Sequence, residues 1–108
     1  MAAIPVDPSQ QDEIFIGRQG ESKKRILRFD ISHMVAELGP RGHLALHVRA
    51  EAILGETIIG LDHNGMCASW PITRQAVTLY AGRGRLWLTY RCGDRCVRSA
   101  SVRFYVTQ

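Results

Sequence analysis

The stretch "HLALH" places His43 and His47 four residues apart, the spacing at which two imidazoles on one helix face could grip a zinc ion. The surrounding residues argue for a different backbone. Leu44, Leu46 and Val48 alternate with His43, Ala45, His47 and Arg49, which is the period of a half-buried strand. A strand advances about 3.3 Å per residue, so the two imidazoles would stand about 13 Å apart. They read as two solvated histidines. "CGDRC" holds Cys92 and Cys96 around the pair Gly93-Asp94. On a hairpin their side chains point to opposite faces, which disfavours both a disulfide and a zinc site. His33 and His63 are isolated in the sequence and read as surface residues.

"GRQG" at 17–20 lacks the glycine count of a dinucleotide fingerprint and the Lys-Ser/Thr of a P-loop, and no helical pattern follows it. It reads as a turn between strands. "AGRGR" at 81–85 is like an RNA-binding repeat but occurs once, directly before a strand. Trp70 and Trp87 could stack on bases or sugars; in so small a domain the core or an interface is the commoner place for them. No Ser-His-Asp set, Cys-His set or paired carboxylates can be assembled. The sequence therefore predicts no enzyme, no cofactor and no metal.

The formal charge of +4 is unevenly spread. Between Gly82 and Arg103 six arginines (83, 85, 91, 95, 98, 103) face one acid, Asp94, so that segment carries +5 and the remainder −1. Such a cluster suits phosphate or an acidic protein face, and arginine is also enriched in ordinary protein contacts. The chain has three cysteines, no basic-then-apolar leader and no apolar run near membrane-spanning length. These features predict a reducing cytoplasm and no membrane.

These residues need elements to position them, and a chain of 108 residues can bury one core. Residues 1–12, with two prolines and no periodicity, read as a flexible arm, and residues 13–108 as the folded domain. "EIFI" and "KKRILRFDI" read as strands, the second with Ile26, Phe29 and Ile31 toward the core. "SHMVAELGP" is the one helix, with Ser32 as its cap and Gly39-Pro40 as its stop. "ETIIGL", "MCASWPIT" and "QAVTLY" follow as strands. Then comes a hairpin with Leu86, Leu88 and Tyr90 on one face, a turn at Gly93-Asp94 and a return strand whose phase shifts at a bulge near Ser99. The sum is an all-β fold, a small antiparallel β-sandwich of about seven or eight strands with one short helix.

The ordered set of Gly17 to Gly20, Phe29 to Ser32, Trp70, Gly82 and Gly84, Leu88 and Tyr90, Gly93 and Asp94, and Arg98 and Ser99 carries a resemblance. It resembles the small N-terminal, baseplate-anchoring domain of upper baseplate and tail-fibre proteins of phages and prophages of Gram-positive bacteria. The resemblance spans nearly the whole chain from Ile14. It implies a non-enzymatic virion structural protein, assembled in the host cytoplasm, that docks on other virion proteins; exposed edge strands add the expectation of homo-oligomers in the particle. Family members usually continue into a coiled coil or receptor-binding module, whereas this sequence ends at Gln108. A tail or baseplate subunit and a head-decoration protein on the capsid both stay open. The partner interface is expected at Ile4, Pro5 and Val6 of the arm, at Arg18 and Gln19, and at Arg91, Arg95 and Arg98. Rival readings are a nucleic-acid-binding regulator working through the arginine cluster and a glycan-binding sandwich using a tryptophan.

Overall fold

Alternation of apolar and polar residues governs most of the chain, and the strands it generates bury one face each. The computed structural model describes residues 2–6, 13–18, 25–51, 54–73, 80 and 82–107. Among them are nine strands and one helix: β1 Ala2–Val6, β2 Glu13–Arg18, β3 Arg25–Asp30, α1 Ser32–Leu38, β4 His43–Ala50, β5 Thr57–Leu61, β6 Cys67–Ile72, β7 Gly82–Cys92, β8 Arg95–Arg98 and β9 Val102–Thr107. They form two sheets, one ordered β1-β3-β6 and the other β2-β9-β7-β4-β5, with β8 also paired to β7. The expected strand at "QAVTLY" lies outside the described residues, apart from Tyr80.

The core is the space between the sheets. The small sheet contributes Leu27, Phe29, Ala68, Trp70 and Ile72, and the large sheet contributes Ile14, Ile16, Leu44, Leu46, Val48, Leu86, Leu88, Tyr90, Val102, Phe104 and Val106. No polar or charged residue is buried among the described residues. On β3 Phe29 and Ile31 are buried as expected, but Leu27 joins them at period two in place of Ile26, which is only half-buried on the other face. "RILRFDI" places apolar residues in both phases, and the facing sheet decides between them.

Ala2–Val6, expected as an arm, runs as a parallel edge strand in register with Arg25–Phe29. The free edge of β3 presents unpaired backbone groups that such a segment satisfies, and Pro5 is tolerated because β1 is itself an edge. At the other end of the chain the hairpin return splits in two. Thr89 pairs with Arg98 on β8, whereas Leu86 pairs with Val102 on β9, so the register moves by one residue between them, as the bulge reading requires. Ser99 fills the break: its N–H donates to Leu88 O at 2.9 Å and its hydroxyl accepts from Leu88 N–H at 2.9 Å.

Helix α1 closes one end of the sandwich with Met34 buried. The expected cap at Ser32 is not made. Ser32 is the first helical residue, and Asp30 Oδ1 accepts both its N–H (2.9 Å) and its hydroxyl (2.8 Å). Those two bonds hold the Asp30 carboxyl below the usual aspartate range, the backbone N–H contributing most. A depressed carboxyl stabilises the fold above its unfolded pKa and loses that contribution as pH falls through the folded value. Asp30→Asn is therefore expected to lower stability slightly at neutral pH and to flatten the stability loss below about pH 4, read by thermal melts across pH.

Candidate functional site

Out-facing residues of the large sheet carry most of the arginines. Alternation along β7 turns Leu86, Leu88 and Tyr90 inward, and so turns Arg85, Trp87, Thr89 and Arg91 outward. β4 does the same with His43, Ala45, His47 and Arg49. Pairing in register sets His43 opposite Arg91, His47 opposite Trp87 and Arg49 opposite Arg85.

Trp87 is the centre of this face, and it is covered from both flanks. From β4, His47 stacks on the indole at 5.3 Å between centroids and 9° between planes. From β8, the Arg98 guanidinium lies 4.6 Å from the ring centroid. His47 is itself held by two bonds of 2.8 Å, Nδ1 to Glu56 Oε2 and Nε2 to Thr89 Oγ1. A carboxylate only accepts, so Nδ1–H donates to Glu56, and in the neutral ring Nε2 accepts the Thr89 hydroxyl proton. The reading of two solvated histidines holds for exposed His43 and fails for His47, whose side chain is 14% exposed. His63 is also no free surface residue. Its Nδ1 accepts from Gly65 N–H at 3.1 Å and its Nε2 donates to Gly42 O at 2.9 Å, which orders the turn before β6.

The predicted interface residues do not gather into one patch. Arg91 and Arg98 share the outer face with Trp87, both exposed. Arg95 begins β8 opposite Cys92, on the other side of the hairpin ribbon from Arg91 and Cys96. Arg18 is exposed at the end of β2, opposite Thr107 and after a bulge between Phe15 and Gly17. Ile4, Pro5 and Val6 lie in β1 of the other sheet, and Gln19 lies outside the described residues. The sequence reading missed Glu56, Thr89 and Arg49 as members of the face. Arg49 stood at an out-facing position of the alternation, but only the β4–β7 register places it beside Arg85.

The cysteines are free, with Cys67 and Cys92 half-buried and Cys96 exposed. Among the described residues no three His, Cys, Asp or Glu side chains are grouped to hold a metal ion. What the face offers is charge: guanidinium N–H groups that suit carboxylates or phosphates, one of them held extended along an indole. Trp70 is 6% exposed and Trp87 9%, so neither indole is open for stacking. Acrylamide is expected to quench the parent's tryptophan emission weakly. Arg98→Ala should raise the quenching by uncovering Trp87, at a stability cost of about 0.5–1 kcal/mol.

The fold has counterparts among solved structures. The chain aligns with the N-terminal domain of phage TP901-1 ORF48 over 100% of both chains, with a TM-score of 0.63 and 8% identity. That likeness is one of fold. An extracellular fragment of Novel Immune-Type Receptor 11 from Ictalurus punctatus aligns with 92% of this chain and 86% of its own, at 12% identity and a TM-score of 0.48. No protein-family model and no curated protein matches the chain.

Proposed function

We propose that this protein is a non-enzymatic structural component of a bacteriophage or prophage virion, assembled in the bacterial cytoplasm as part of the tail or baseplate and docking there by protein–protein contacts. The observation that carries the reading is the end-to-end agreement of its fold with the N-terminal domain of phage TP901-1 ORF48. The ordered residues from Gly17 to Ser99 also support it, because that resemblance rests on sequence pattern and not on the backbone. The outer face, rich in arginine and built on a rigid sheet, suits docking better than turnover, since its buried neighbours are all apolar. Exposed sheet edges offer a route to homo-oligomers in the particle.

Electron cryomicroscopy of particles from cells expressing the gene in its native context tests the reading. Density for the sandwich on the tail or baseplate is the expected result. Density on the capsid would make it a head-decoration protein, and its absence from every particle would reject a virion role. The arm is tested separately. Deleting residues 1–12 removes an edge strand but leaves β3 and β6, which line the core. The shortened protein is expected to fold and to fail to enter particles; normal incorporation would show that Ile4, Pro5 and Val6 are not part of the interface.

A further inference from the structure

Three arginines stand side by side across three neighbouring strands of the large sheet. Arg49 on β4 is directly opposite Arg85 on β7, and Arg85 is directly opposite Arg103 on β9. Adjacent strands lie about 4.8 Å apart, so the row concentrates three positive charges within about 10 Å. Arg83 adds a fourth, two residues along β7 on the same face. Glu13 of β2 stands next in the row, opposite Arg103. Among the described residues no ion pair reaches Arg49, Arg83 or Arg85. Like charges directly opposite on neighbouring strands destabilise a sheet. At Arg49, Arg83 and Arg85 any neutral residue would relieve this, since all three positions are exposed.

The row lines an open groove of about 580 Å³, whose rim also carries Glu13, Glu51 and Leu54. Leu54 is fully exposed. We infer that this groove docks a carboxylate-rich peptide segment of a protein partner. Guanidinium groups pair with carboxylates through two parallel hydrogen bonds, and Arg49, Arg83 and Arg85 present such forks on two neighbouring strands. Leu54 offers an apolar contact between the charges. A nucleic-acid strand fits less well, because the one indole of this face is already covered by His47 and Arg98, leaving no platform for bases. The inference rests on the proposed role in docking on proteins and adds the surface and the partner's chemistry.

The test uses the full chain in solution, with fluorescein-labelled hexaglutamate as the probe and an oligothymidylate of equal charge as the competitor class. Hexaglutamate should bind with an affinity that falls as salt is raised. Arg49→Gln with Arg85→Gln should weaken binding about tenfold or more, whereas Arg95→Gln at the hairpin should change it by less than about twofold. The double variant should melt no lower than the parent at low salt, because it removes cross-strand repulsion. Should it unfold, Arg85→Lys serves instead: the charge remains, the fork is lost, and binding should fall about threefold. Failure of hexaglutamate to bind, or equal binding by parent and variants, overturns the inference. So does tighter binding of oligothymidylate with the same arginine dependence, which would give the face to nucleic acid. These outcomes are separable from the virion reading: density in particles with no peptide binding removes the groove alone, and peptide binding without density removes the virion role.

Discussion

Gly84→Ala is expected to destabilise the domain by about 3 kcal/mol, the upper end of the range for overpacking a core. Gly84 turns inward on β7, directly opposite Phe104 of β9. A Cβ built there would come within 2.5 Å of both Arg49 O and Phe104 Cζ. One obstacle is backbone and the other is a ring with no accessible surface, so neither can move cheaply. Phe104 is edge-on to Tyr80 at 6.5 Å, and Tyr80 is edge-on to Trp70 at 6.3 Å. The added methyl therefore pushes a chain of aromatic rings that joins the large sheet to the small one. Denaturant unfolding followed by tryptophan emission measures both effects, because Trp70 ends that chain. A marginally stable domain has about 5–15 kcal/mol in hand, so the loss should be visible in the midpoint and in protein yield. An unchanged midpoint would show that the ring has somewhere else to go. The consequence reaches the arginine row as well, since the same glycine separates Arg83 from Arg85 on β7.

Tyr90→Phe is expected to cost about 2–3 kcal/mol, the penalty for leaving a buried donor and a carbonyl without their partner. The Tyr90 hydroxyl donates to Gly39 O and accepts from Gly42 N–H at 2.9 Å, so one oxygen ties both ends of the turn between α1 and β4. The ring leaves no room for a side chain at Gly42, where a Cβ would meet Tyr90 Cζ at 2.4 Å and Arg91 O at 2.8 Å. His63 grips the same residue from the other side, donating to Gly42 O and lying edge-on to the Tyr90 ring at 5.4 Å. Because both side chains act on Gly42, Tyr90→Phe and His63→Ala should be non-additive in a double-mutant cycle. Strict additivity of the two losses would show that the turn is not held as a unit. Far-ultraviolet circular dichroism of Tyr90→Phe should remain that of a β protein, since no ladder bond is removed.

Several features of this fold were legible residue by residue. The alternation in "HLALHVRA" and in "RLWLTY" named the buried faces of β4 and β7 correctly, because a side chain's face along a strand depends only on parity. The pair Gly93-Asp94 marked the hairpin, where Gly93 takes φ +64°, a conformation glycine adopts freely. Gly39, with φ +98°, closes α1 where expected. On β3 the sequence reading places Phe29 and Ile31 correctly but takes Ile26 in place of Leu27, because "RILRFDI" offers hydrophobic residues in both registers. Ser32 fails as the cap because it is itself the first helical residue and its hydroxyl is engaged in donating to Asp30 Oδ1, two residues earlier.

The site was legible only in part. Arg91 and Arg98 belong to the charge cluster and share the outer face, yet Arg95 lies on the other side of the hairpin ribbon and Arg18 lies on β2, at the end of the sheet away from Arg91. His47 read as solvated because nothing in its own neighbourhood announces Trp87, Thr89 and Glu56. Those contacts come from other strands.

By itself, then, the sequence determined most of the described strands, the turn glycines, helix α1 and the concentration of arginine near the C-terminus, all of which follow from local period, backbone freedom and composition. Tertiary structure alone decided which strands are neighbours. It set β2 in parallel beside β9 at the opposite end of the chain, joined Ala2–Val6 to β3, and aligned Arg49, Arg85 and Arg103 in one row. The physical reason is that a strand's hydrogen-bonding edge accepts almost any partner strand. Partner and register are chosen only when all the apolar faces must be buried against one another at once.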